Sequence, residues 1–280
     1  MDSMRRVAVV NDLSGFGRCS LTVALPILAS MGLQPCPAPT VILSAHTGYE
    51  NPYIHSFTEE LAPYLHHWES MDLTFDGVYT GFLGDERQAK WLVPLLRRTA
   101  AQGGLRLVDP AMADHGRLYA TCAPALVDAM AKLVALASVT TPNLTEACLL
   151  TGEEYTTLME MPVEERRGVI ESMGRRLLET GCGAVVITGV PEEESLSNLV
   201  LDGVEAVWVS TPRIQRSFAG TGDVFSSVLC GKLLQGVPLL QAVEQTAAFV
   251  GKVTAYTAKL NTPEQDGIAF EPFLREICEE

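Results

Sequence analysis

Gly220-Thr221-Gly222-Asp223-Val224-Phe225-Ser226-Ser227-Val228-Leu229 is the stretch on which the fold turns. It follows a strand-like segment and opens an apolar run, so a helix begins at its glycines. Two glycines let the backbone come close to a ligand, and the unpaired N–H groups at a helix N-terminus form an anion site. An aspartate beside such a hole would repel a phosphate, unless its task is to take a proton from the group that attacks the phosphate. The plainer alternative is that Thr221 or Asp223 caps a buried helix, where a carboxylate suits the positive dipole end. On these residues alone both readings stay open.

Upstream, short β-rich runs alternate with longer helical patterns. Strands are predicted at Val7–Val10, Thr40–Leu43, Gly77–Thr80, Leu105–Val108, Val139–Thr140 and Ala184–Thr188. Helices are predicted at about 21–31 (stopped by Gly32), 56–69, 86–102, 124–136, 144–150 and 164–180. A hairpin follows, 198–201 and 205–209 around Asp202-Gly203, and helices over about 221–235 and 238–258 close the chain. Short apolar strands alternating with helices predict an α/β fold, a three-layer α/β/α sandwich with a mostly parallel central sheet. No linker, repeat or low-complexity block divides the chain, so residues 1–280 read as a single domain. Ligands of such sheets sit beyond the carboxyl ends of the strands. Polar residues recur there: Asn11-Asp12, Thr80-Gly81, Asp109-Pro110, Thr141-Pro142-Asn143 and Thr188-Gly189.

Hydrophobic residues make up 47% of the chain and charged ones 19%, which suits a sizeable core. A net charge of −14 argues against nucleic acid as a partner but not against ATP, since a pocket can be locally positive. The seven cysteines are scattered singly, without a C-x-x-C pair, which is neither a disulfide framework nor a zinc site. Met1-Asp2-Ser3-Met4-Arg5-Arg6 leads straight into a strand and shows no signal peptide. No apolar run approaches the roughly 20 residues of a membrane span. The expectation is a cytoplasmic, reduced protein.

Several chemistries lack their motifs. There is no G-x-x-x-x-G-K-[ST], no H-E-x-x-H, no G-x-S-x-G and no H-R-D. Gly15-Phe16-Gly17 lacks the third glycine of a dinucleotide fingerprint. The histidines, His66-His67 included, have no metal-ligand spacing. Asn143-Leu144-Thr145-Glu146 reads two ways, as a capping box and as an amide–carboxylate pair able to hold Mg²⁺ through water. Asp109 either ends a strand or faces a Mg²⁺–phosphate complex. His46-Thr47-Gly48-Tyr49 is either a polar turn or part of a site.

Asp109-Pro110, Thr141-Pro142-Asn143-Leu144-Thr145-Glu146 and Gly220-Thr221-Gly222-Asp223, in that order, resemble the ribokinase-like small-molecule kinases. Ser44-Ala45-His46-Thr47-Gly48-Tyr49 with Tyr79-Thr80-Gly81-Phe82-Leu83-Gly84-Asp85 resembles the vitamin B6 kinases within them. Asn11-Asp12-Leu13-Ser14-Gly15-Phe16-Gly17-Arg18 is similar to the related hydroxymethylpyrimidine kinases of thiamine synthesis. The similarity runs from about Val7 to about Tyr256.

The resemblance implies a ribokinase-like fold and ATP-dependent phosphorylation of the 5′-hydroxymethyl group of pyridoxal, pyridoxine or pyridoxamine, feeding pyridoxal 5′-phosphate salvage. It makes Asp223 the base, with the Gly220, Thr221 and Gly222 amides as the anion hole. Asp109, Asn143, Thr188 and Thr221 would face ATP, and Asn143, Glu146 and Asp109 would serve Mg²⁺. Asp12, Ser14, Thr47, Tyr49 and Asp223 would line the vitamer pocket, with Val41 and His46 nearby and Phe82 as a stacking ring. Asp114-His115-Gly116-Arg117-Leu118-Tyr119 falls where these kinases carry a mobile flap over the nucleotide. A homodimer and activation by K⁺ are implied as well. Phe82 stands where many pyridoxal kinases have tyrosine, and Asp12 where several relatives use serine. The rivals are a hydroxymethylpyrimidine kinase, with the same mechanism and another ring, and a non-catalytic vitamer-binding protein, against which the intact Asp223 argues.

Overall fold

The computed structural model describes residues 4–203 and 205–278; the Met1–Ser3 lead-in to the first strand and Val204, in the turn of the expected hairpin, lie outside them. In chain order the elements are β1 (Arg6–Ser14), α1 (Ser20–Ser30), β2 (Gln34–Leu43), β3 (Ile54–Ser56), α2 (Thr58–Ser70), β4 (Gly77–Thr80), α3 (Glu86–Ala101) and β5 (Leu105–Val108). Then come β6 (Ala113–Asp114), β7 (Arg117–Leu118), α4 (Ala125–Val134), β8 (Val139–Thr140), α5 (Leu144–Thr151), α6 (Tyr155–Glu160) and α7 (Val163–Glu179). The chain ends through β9 (Val185–Pro191), β10 (Ser195–Leu201), β11 (Ala206–Pro212), α8 (Thr221–Leu234), α9 (Leu239–Thr257) and α10 (Leu274–Cys278).

Strand side chains alternate between two cores because successive Cβ atoms point to opposite faces. Val7 and Val9 of β1 join Tyr79, Leu107 and Val186 in a core closed by α1, α8 and α9. Ala8 and Val10 join Val78, Val108 and Ile187 in the other, under α2, α3, α4, α5 and α7. Burial on both faces is why these strands read as unbroken apolar runs. The three layers expected from the sequence are present. The main sheet runs β11-β10-β9-β8-β5-β4-β1-β2-β3. Pairing is parallel from β2 through to β9, with antiparallel β3 at one edge and antiparallel β10 and β11 at the other.

From β1 the chain passes to β2 on one side and later to β4 on the other. The carboxyl ends of β1 and β4 therefore flank a crevice at the point where strand order reverses. Among the described residues no helix is long and apolar enough to cross a membrane.

Differences from the expected elements have local causes. β1 continues past Val10 to Ser14 across an irregularity between Asn11 and Leu13, so its polar end is still strand. β2 begins six residues before Thr40, through Pro35, Pro37 and Pro39. The Gln34 N–H donates to Arg5 O, so the nitrogens of these alternate residues turn to the outer edge, which is unpaired there. The hairpin is present with longer strands, and β3, α6 and α10 are too short to leave a periodic signal.

Candidate active site

Helix α8 starts at Gly220 because that residue alone fits: its φ is +73°, and a Cβ there would lie 1.9 Å from Arg18 O. Gly222 differs, since a Cβ there would meet nothing within 4 Å. The first glycine is a backbone requirement; the second leaves room beside the helix end. No side chain caps the N-terminus, and the Thr221 hydroxyl turns back to Phe218 O at 2.7 Å. The first intrahelical bond of α8 is Val224 N–H to Gly220 O, so the preceding N–H groups face the crevice as donors.

Asp223 is half-buried yet crowded by protein. Burial pushes its carboxyl up to about 7 and the Asp12 charge adds to this, while hydrogen bonds from the Ser20 N–H and the Asn11 amide oppose. Asn11 donates its Nδ2 to Asp223 Oδ1 at 3.4 Å. Its orientation is fixed because Oδ1 accepts the N–H groups of Phe82 (2.8 Å) and Asp12 (3.0 Å). Gly81 is needed here, as a Cβ would strike the Asn11 amide.

Three more carboxylates lie along the same edge. Asp109, at the end of β5, is buried; Ser226 Oγ donates to it at 2.8 Å and lies 3.0 Å from Thr141 Oγ1. Ser226 is one turn beyond Asp223 on α8. Glu146 is buried and accepts the N–H groups of Asn143 (2.8 Å), Met112 (3.1 Å) and Ala113 (3.5 Å). With Asn143 Oδ1 accepting Glu146 N–H at 2.9 Å, the capping box is complete. Burial first, then a neighbouring carboxylate's charge, raises both Asp109 and Glu146 above the usual carboxylate range; for Asp109 that charge is Asp223's, for Glu146 it is Asp109's. Burial also raises Asp12. None of the chief influences on these four groups is a lysine or arginine.

Thr188 donates its N–H to Pro142 O at 2.9 Å and forms a parallel bridge with Asn143. Asp109, Asn143, Glu146 and Thr188 thus gather on the β5–β8–β9 side. The expected flap is the β6–β7 hairpin, turning at His115 and Gly116 with positive φ. Its root is tied to α5 through Glu146 and through Asn143 Nδ2 to Ala113 O (2.8 Å), and its turn through Gly116 N–H to Thr145 Oγ1 (2.9 Å). Just beyond the hairpin, the Tyr119 ring lies 6.4 Å from Phe82; its own burial, then the charges of Glu146, Asp114, Asp223 and Asp109, raise its hydroxyl well above the usual value.

On the β1–β2 side the residues are held differently. His46 Nε2 lies 2.6 Å from Gln265 O and Nδ1 accepts Gly48 N–H at 3.0 Å, which sets the neutral Nε2–H tautomer and uses both ring nitrogens. A Cβ on Gly17 or Gly48 would collide with this ring, so Gly15-Phe16-Gly17 serves packing. Tyr49 donates to Asp266 Oδ1 at 2.6 Å and meets Phe16 edge-on. Thr47 is exposed, Ser14 is fully buried behind Asp12, and Val41 is buried against Gly84. The structure therefore brings Asp12, Phe82 and Asp223 to the crevice, keeps Ser14 and Val41 beneath its wall, and engages His46 through Nε2 with the C-terminal segment and through Nδ1 with its own loop. Ser20, Ser226 and Asp266 were given no site role from sequence, and Asn11 was read only as a polar strand end. Ser226 had a signal, its three-residue spacing from Asp223; Asp266 had none.

A mostly parallel sheet between helix layers, with a helix-borne aspartate at the crevice where strand order switches, is the ribokinase-like architecture of small-molecule kinases. Residues 29–267 match the family model described as phosphomethylpyrimidine kinase, and the chain belongs to that family. It is 30% identical to a pyridoxine/pyridoxal/pyridoxamine kinase of Bordetella avium over 90% of this chain and 86% of the relative. It is similar to a protein of Bacteroides thetaiotaomicron assigned as a phosphomethylpyrimidine kinase and crystallised with pyridoxal, at TM-score 0.91 and 34% identity, covering 98% of this chain and 96% of the other. Pyridoxal kinase from Lactobacillus plantarum superposes at TM-score 0.86 with 29% identity, covering 98% and 97%.

Proposed function

We propose that this protein transfers the γ-phosphoryl group of ATP to the 5′-hydroxymethyl group of a vitamin B6 vitamer. The carrying observation is the juxtaposition of Asp223, raised to about 7, with the unpaired N-terminus of α8. A carboxylate so tuned is a good acceptor for the hydroxyl proton near neutral pH, and the amides beside it stabilise charge on the transferring phosphoryl. Phe82 offers the ring a stacking face. Asp109, Asn143, Thr188 and Thr221 attend the nucleotide.

Mg²⁺ fits the residues present. Asp109 and Glu146 are hard oxygen donors, buried and without a cation among their chief influences. Among the described residues no group of three His, Cys, Asp or Glu could cage a metal alone. That suits an ion which keeps waters and takes substrate phosphates as ligands. Asn143, Glu146 and Asp109 would hold it through water, and bound there it would neutralise phosphate charge. A single domain is supported by the one large sheet shared by both cores.

The test is ADP release with pyridoxal, pyridoxine, pyridoxamine and hydroxymethylpyrimidine in turn. Turnover of the vitamers above the pyrimidine supports the proposal, and the reverse order makes the protein a hydroxymethylpyrimidine kinase. Binding of a vitamer without ADP release makes it a binding protein. A KCl titration of the same assay and sedimentation of the protein read the K⁺ activation and homodimer implied by the resemblance.

A further inference from the structure

Side chains alternate along β1, so Asn11 falls on the same face as Val7 and Val9, the face covered by α1 and α8. The strand's register with β2 breaks only after Asn11. A buried amide, 1% exposed, is thereby set opposite the helix that carries Asp223. Its Oδ1 accepts the N–H groups of Phe82 at 2.8 Å and Asp12 at 3.0 Å, which commits that end and turns Nδ2 to Asp223 Oδ1 at 3.4 Å. A Cβ on Gly81 would lie 2.4 Å from Nδ2, 2.6 Å from Cγ and 2.8 Å from Oδ1, so the amide occupies the space that glycine leaves. We propose that Asn11 is the positioning residue for Asp223, its locked amide fixing the orientation in which the carboxylate meets the substrate hydroxyl.

The proposal rests on the kinase reading above. No cation is among the chief influences on Asp223, so its direction is not set by an ion pair. A neutral amide can orient the carboxylate without neutralising it, which leaves the base able to take a proton. At 3.4 Å the bond resembles catalytic hydrogen bonds that tighten only in the complex with substrate. Asp12, the next residue, has its oxygens engaged elsewhere. They accept the hydroxyls of Ser14, at 2.8 Å, and of Ser20, which holds φ +52° at the start of α1. Small misplacement of a reacting group is costly, up to about 10²-fold in rate.

Asn11→Asp separates the two ends of the amide. An oxygen still accepts from Phe82 and Asp12, while the donor facing Asp223 is replaced by a second carboxylate oxygen. kcat should fall by about 10- to 10²-fold with vitamer KM within about twofold. An unchanged kcat, with or without a rise in KM, overturns the proposal. Melting at pH 8 reads the contact apart from activity. Asn11→Asp should melt below wild type, because like charges then face each other. Adding Asp223→Asn, whose amide can donate to the introduced carboxylate, should raise the melting temperature by more than the same change raises that of wild type. Additive shifts overturn the link. Should Asn11→Asp fail to fold alone, a folded double variant supports it. If neither folds, the Asn11 side-chain amide resonance decides: displacement in Asp223→Asn supports the link and an unchanged position overturns it. If the wild type phosphorylates neither ring, the kinase reading falls on its own, and the melting cycle still tests the contact.

Discussion

At the β5–β8 end of the crevice, Asp109 and Glu146 are buried, gripped by Ser226 and by three backbone N–H groups, and raised by burial and by the charge of a neighbouring carboxylate, Asp223 for the first and Asp109 for the second. At the β1–β2 end, His46, Thr47 and Tyr49 sit on a loop tied by His46 to Gln265 O and Phe16 O, by the Tyr49 hydroxyl to Asp266, and by the Phe16–Tyr49 ring contact. One end stores unfavourable charge inside the core; the other is clipped on from outside. A charged ligand group can relieve the first, while the second can adjust to a ring without disturbing the sheet. Changes at the charged end should therefore alter kcat, metal requirement and pH dependence, and changes at the clipped end should alter KM.

The largest effect is expected at Asp223. Asp223→Asn should lower kcat by at least about 10²-fold with nucleotide affinity nearly unchanged. In the wild type, kcat/KM should climb with pH up to about 7 and then level, as the base ionises. Stability should move the other way. The folded value lies above the ordinary 3.8, so the ionised carboxylate destabilises the fold; this cost is absent below about 4, grows through about 7 and is full above it. Asp223→Asn should thus melt higher than wild type at pH 8, with the gap closing as pH falls toward 4. A variant that is inactive but melts no higher at pH 8 would show that the carboxylate is not strained.

Glu146→Gln comes next. It removes one charge but leaves an amide nitrogen facing backbone N–H donors at the flap root, so a modest fall in melting temperature is expected. The Mg²⁺ concentration for half-maximal rate should rise about tenfold, the low end for loss of an outer-shell partner. If the protein melts lower and needs no extra Mg²⁺, Glu146 serves only the cap and the flap. At the clipped end, Tyr49→Phe and Asp266→Asn should each raise vitamer KM about fivefold, the worth of one hydrogen bond near 1 kcal/mol, with kcat held. A fall in kcat there would erase the contrast between the two ends. Phe82→Tyr should be smallest, within about twofold, because the stacking face is kept.

The charged end was legible in the sequence because it lies on regular elements. Gly220-Thr221-Gly222-Asp223 opens a helix, Asn143 and Glu146 carry capping-box spacing, and Asp109 follows an apolar strand. The clipped end was legible only as a motif. Nothing in the spacing of Asp266 announces that it will receive the Tyr49 hydroxyl from 217 residues away. Ser20 was hidden for a different reason, since residue type does not reveal that a serine will hold positive φ. In β2 the prolines masked a strand that the alternation around them would otherwise suggest.

Those prolines also govern what the molecule can do in a crowded solution. A bare strand edge invites a stranger's backbone to zip onto it, but Pro35, Pro37 and Pro39 have no N–H to offer on the outer side of β2. Along that stretch, the first half-sheet to leave a translating ribosome would present a rim on which an intruding chain finds acceptors without donors, and so no ladder to continue.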